Sequence, residues 1–211
     1  MTIHEPATLI TDYLLGLLGA WCGWQLGRHA NPSHLCWSRA LWLMAAAAWM
    51  GGTHHGFGPA LGEWMSEALW RATLLLISLT SVAMSLTLVR ELAPASQRRR
   101  WNCLVWVKFA AFATIAFAHP LFVVAVADYG LSMLALGVAA LLAARPWRGP
   151  MLIAVILSAV AAIVQQMQWG FGAHFNHNDT YHVIQGTAVF LFYRAGEKFG
   201  TRWRNDFSTG C

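Results

Sequence analysis

Charge is what this chain has least of. Only 11% of its 211 residues are Asp, Glu, Lys or Arg, while 57% are hydrophobic, a balance far from that of an ordinary soluble domain. Short alternating segments of the kind a membrane β-barrel needs are missing too. In their place stand continuous apolar runs such as Leu131 to Ala144 and Met151 to Val164, which suit membrane helices. No Lys or Arg precedes Arg28, whereas Glu5 and Asp12 do. The basic start of a cleavable secretory signal is therefore lacking, and the first helix is expected to stay. Four cysteines, Cys22, Cys36, Cys103 and Cys211, form no CxxC pair, so neither a disulfide nor a cysteine-ligated metal is expected. The net charge of +5 is spread over several connections with no aromatic-interleaved basic patch. Membrane lipid headgroups, and not nucleic acid, are the expected counter-charge.

What remains predicts an all-α polytopic membrane protein, a single domain over residues 1–211 with seven spans. The first runs over 8–27, where Gly19, Gly23 and Gly27 form an i, i+4, i+8 stripe for close helix packing. Asn31-Pro32-Ser33 breaks the chain before a second span over 37–56, which ends in Gly51-Gly-Thr-His-His-Gly-Phe-Gly-Pro59. The third covers 67–89. From Trp101 to Ala144 a single helix would be a rod of about 65 Å, too long for one crossing. His119-Pro120 divides it into spans over 101–118 and 121–143, because a residue before proline is biased away from helix. The sixth span covers 151–169 and the seventh 177–194. Trp37, Trp64, Trp70, Trp101, Trp147 and Trp169 fall near span ends, where interfacial aromatics belong.

Basic residues set the expected orientation. Arg28, Arg39, Arg90, Arg98 to Arg100, Arg145, Arg148, Arg194, Lys198, Arg202 and Arg204 collect on one side, and the other has essentially Arg71. The N-terminus is thus expected outside and the C-terminus in the cytoplasm. On the outer side this topology gathers His54, His55, His119, His174, His177 and His182, with Glu63, Glu67, Asp128 and Asp179.

Neutral imidazole and carboxylate are ligands for zinc and similar divalent ions, and a catalytic zinc keeps three protein ligands and one open position. Asp179 and His182, three apart, share a helix face. With His55 from the second span they could supply three ligands from two helices; His177 shares that face less well. Against this stands the plainer role of an interfacial histidine, which only hydrogen-bonds water or headgroups; it suits His4, His119 and His174. Lys108 starts near the inner side and is expected to snorkel there. Asp128 is deeper in its span and is a candidate for orienting a ligating imidazole.

Seven spans, a histidine late in the second and the run Asn176-His-Asn-Asp-Thr-Tyr-His-Val-Ile-Gln185 resemble the superfamily of alkaline ceramidases and adiponectin and progestin receptors. The run is most similar to an uncharacterised bacterial branch of that group. The resemblance implies zinc held by histidines, hydrolysis of lipid amides and a bacterial inner membrane location. His55 matches the second-span ligand, His182 the second histidine of the seventh-span HxxxH pair, and Glu67 stands about where the acid of that superfamily falls. Gly51 occupies the place of its serine, and Asn178 that of the first histidine of the pair, so Asp179 or His177 would have to replace the missing ligand.

Three functions follow as expectations. The first is a zinc-dependent hydrolase of lipid amides or esters, with His55, Asp179 and His182 on the metal and Glu67 as general base. The second is a non-catalytic sensor or assembly partner whose His/Asp cluster ties spans two and seven together. The third is a b-type haem protein, disfavoured because the histidines crowd one face instead of pairing across a helical core.

Overall fold

A computed structural model describes residues 3–172 and 175–201. It is helical throughout, with α1 (Pro6–Gly27), α2 (Pro32–Phe57), α3 (Glu63–Leu92), α4 (Arg98–Ala118), α5 (Phe122–Leu142), α6 (Arg148–Gln166) and α7 (His177–Gly196). Four of these, α3 to α6, are long and apolar enough to cross a membrane. The other three reach 22, 26 and 20 residues, but Gly, Trp, Ser, Thr and His dilute their apolar character.

Local chemistry sets the boundaries. Pro32 is the first residue of α2, and the Asn31 side chain accepts from Ser33 N at 2.8 Å, so this helix begins earlier than Trp37. His119 closes α4 and Leu121 precedes α5, as the His119-Pro120 pair predicts. Past Gln166, Gln168 takes φ 55°, a conformation that ends a helix, so α6 stops short of Trp169. The start of α7 carries a reciprocal cap. Asn176 Oδ1 accepts from the backbone of Asn178 and Asp179, and Asp179 Oδ2 accepts from Asn176 N at 2.7 Å.

The glycine stripe of α1 lies against α2. A Cβ on Gly23 would meet the Trp42 ring and Ser38 O, and one on Gly19 would meet Met44 and Leu41 O. That close approach lets Ser38 Oγ donate to Gly23 O at 2.6 Å. α7 packs beside this pair. Trp37, fully buried, donates from Nε1 to Phe192 O at 2.9 Å and stacks edge-on with Phe192 and Phe199, and Trp147 also meets Phe199. Trp37 and Trp147 are therefore core residues and not interfacial ones, since burying so large an apolar surface inside the bundle is more favourable than leaving it at the rim. Trp64, Trp101 and Trp169 remain exposed. α4 is at the periphery, with Ala116 its one buried residue.

Candidate functional site

The outer ends expected for α1 and α7 meet in one polar network, with α2 packed beside it. His182 lies at its centre. Its Nε2 is 3.1 Å from Asp12 Oδ1, and its Nδ1 is 3.0 Å from Thr11 Oγ1. The same hydroxyl is 3.1 Å from Thr8 O and 3.4 Å from Asp179 Oδ1. A hydroxyl has one proton to give. Given to His182 Nδ1, the nearest of the three acceptors, it leaves Nε2–H to donate to Asp12. Asp12, Asp179 and His182 are all buried, so each needs these partners. Asn176 adds a bond from Nδ2 to Thr8 Oγ1 at 3.4 Å, which ties the cap of α7 back to α1.

Gly52 makes room for this arrangement, and Gly51 lies beside it. A Cβ on Gly51 would lie 3.8 Å from Asp12 Oδ2, and one on Gly52 would press on Asp12 Cβ at 2.8 Å. Gly51 thus occupies the place of the expected serine and sits directly beside a buried carboxylate.

His55 is one layer further out. Its Nδ1 lies 3.3 Å from Glu5 Oε2, close but off the line of a good hydrogen bond, since that oxygen has no aligned donor among the described residues. The N-terminal segment is held over the end of α2 by His4 N donating to Gly56 O at 3.0 Å. His54 faces elsewhere: its Nδ1 meets Ser66 O at 3.1 Å and Ser66 Oγ at 3.2 Å, and its ring stacks on Trp70. Together His4, Glu5, His54, His55, Glu63 and Ser66 line a recess of about 350 Å³.

Glu67 stands apart from this network. Its carboxylate takes two bonds from Arg71, at 2.6 and 3.0 Å, and Arg71 also reaches Phe117 O at the end of α4. It is half-exposed. His177 is the first residue of α7 and half-buried, with no side-chain hydrogen bond among the described residues. His174, Cys211, Arg202 and Arg204 lie outside the described residues.

Asp12, Thr11 and Glu5 were the members that sequence reasoning missed. Asp12 and Glu5 had counted only as an acidic N-terminus. The available signal was depth: an Asp inside the first apolar span cannot be left without a partner in a bilayer.

Chemically, the arrangement is a hydroxyl, an imidazole and a carboxylate in series, the order used for nucleophilic catalysis. Here Asp179 faces the hydroxyl, so charge developing on a substrate oxygen would meet a carboxylate where donors are required. Among the described residues no three His, Cys, Asp or Glu side chains converge to hold a metal ion, and both nitrogens of His182 are engaged. The described geometry does not fit a zinc triad as it stands.

A second polar cluster crosses α3, α4 and α5. Lys108 Nζ pairs with Asp128 Oδ1 and lies 2.6 Å from Ser81 Oγ, 3.0 Å from Ser132 Oγ and 3.3 Å from Asp128 O. Lys108 therefore does not snorkel, and Asp128 orients no imidazole. A buried carboxylate is a stronger attraction for the ammonium than a distant headgroup, because their mutual charge is unscreened there.

Fold and network together define a class: an all-helical protein with four helices suited to a membrane and a buried His/Asp cluster joining α1 and α7. The chain belongs to the DUF6962 family, a family of unknown function whose model matches residues 7–201. No curated protein and no solved structure matches it.

Proposed function

We propose that this is an integral membrane protein of seven crossings with its N-terminus outside and its C-terminus cytoplasmic, acting as a non-catalytic sensor or assembly partner. Its histidine network is a structural clamp beneath an outward-facing recess. This rests on His182, whose ring nitrogens are both occupied, by Thr11 and Asp12, while Asp179 caps α7 through Oδ2. An imidazole engaged at both nitrogens ties α7 to α1 and has no lone pair left for a ligand. The recess is lined by Glu5 of the N-terminal segment, His55 of α2 and Glu63 and Ser66 of α3, so whatever enters it bears on how these ends sit together. Orientation rests on the basic residues, which crowd the connections opposite the histidine end. That bias and the bacterial resemblance favour an inner membrane location.

A second reading has one observation of its own. Glu5 on His55 and Asp12 on His182 are carboxylate–imidazole pairs, the pairing that orients histidines which ligate metal. On this reading zinc supports hydrolysis of a lipid amide or ester.

Purified wild type and the His55→Ala and His182→Ala variants separate the two. The clamp predicts lower melting temperatures in both variants and substoichiometric zinc in wild type. One zinc per chain in wild type, lost in His182→Ala, overturns the clamp in favour of the metal reading.

A further inference from the structure

The cluster around Lys108 has the make-up of a cation site. Four oxygens of three kinds surround one ammonium: the carboxylate and the main-chain carbonyl of Asp128 and the hydroxyls of Ser81 and Ser132. Ser85 Oγ supports the set from 2.9 Å on Ser132, and Ser81 and Ser132 are 2.7 Å apart. An ammonium has three protons to donate, so the oxygens outnumber what Lys108 can satisfy. Asp128 is fully buried, and its Oδ2 has no hydrogen-bond partner among the described residues. Carboxylate, carbonyl and hydroxyl oxygens are the ligands that hard cations take.

We propose that Asp128, Ser81 and Ser132 form a binding site for a small monovalent cation, sodium in the first instance, in which Lys108 sits as a tethered resident cation. Sodium competes with the ammonium for the same oxygens, and when it wins, Lys108 withdraws. The helix that carries Lys108 is the one able to respond. α4 buries only Ala116, so the ammonium, with Arg71 on Phe117 O and Arg98 on Arg90 O, is a large share of what ties it to its neighbours. Occupancy by sodium thus loosens α4, and occupancy by Lys108 docks it. No other ionisable side chain enters the cluster among the described residues.

The test uses the full chain in detergent, with sodium chloride compared with choline chloride at equal ionic strength. Lys108→Met keeps the stem and removes the charge, leaving the oxygens to the free ion. It should melt below wild type in choline. Sodium at roughly ten times its dissociation constant should raise its melting temperature by about 3 °C. The double variant Lys108→Met/Asp128→Asn should show no difference between the two salts. Equal melting of folded Lys108→Met in sodium and choline overturns the proposal.

Wild type decides the matter if Lys108→Met fails to fold. Cys103 is exposed on α4, while Cys22 and Cys36 are buried. In a Cys211→Ser background it takes an environment-sensitive label. A sodium-specific, saturable change in that label supports release of α4, and identical signals in sodium and choline refute it.

Discussion

Two polar clusters interrupt the apolar interior, and they are built on opposite plans. Where α1, α2 and α7 meet, the polar groups are many and share their bonds: an imidazole, a hydroxyl and carboxylates, with glycines bringing the backbones close. In α3, α4 and α5 one full charge pair is set among serines inside strongly apolar helices. The first plan spreads its cost over many bonds, so each bond is individually replaceable. The second concentrates it in one ion pair whose members cannot be separated cheaply.

This contrast orders the outcomes of substitution, each read from reversible unfolding of purified protein followed by helical circular dichroism. Asp128→Asn strands the ammonium of Lys108 and should cost about 3–5 kcal/mol. Replacing both members, as Lys108→Met/Asp128→Asn, should return most of that loss, because the buried charges disappear together. Next comes His182→Ala, which leaves Asp12 and Thr11 without their shared partner, at about 2–3 kcal/mol. Asn176→Ala removes the cap of α7 and should cost about 1 kcal/mol. Glu67→Gln breaks only a half-exposed pair with Arg71 and should stay below about 0.5 kcal/mol. If His182→Ala proves costlier than Asp128→Asn, the distinction between distributed and concentrated polarity is lost.

Helix number and most breaks were legible because they depend on neighbours in the chain. Pro120 ends one helix and starts another, and the stripe from Gly19 to Gly27 marks a face that α2 indeed covers. The histidines of α2 and α7 were legible too, as ionisable groups beside apolar runs. Their partners were not, since the pairing is tertiary. Nothing near Asp12 in the chain says that His182 will be opposite it. Lys108 and Asp128 were within reach of deduction: they lie about two to three helical turns on either side of the Pro120 break, so a hairpin sets them at similar depth. They went unpaired because each was weighed alone, the lysine as an interfacial residue and the acid as an accessory to histidine. The two misplaced tryptophans share that origin. Position near a span end suits a rim residue, but Trp37 and Trp147 are claimed by Phe192 and Phe199, which arrive from the far end of the chain.

The buried indole of Trp37 has a consequence for traffic through the molecule. It sits near the start of α2, about 27 Å along the helix from His55, and with Phe192, Phe199 and Trp147 it stoppers the α1–α2–α7 seam at the end away from the histidines. Passage of ions or water from one face to the other along this seam is therefore barred by a plug of aromatic rings.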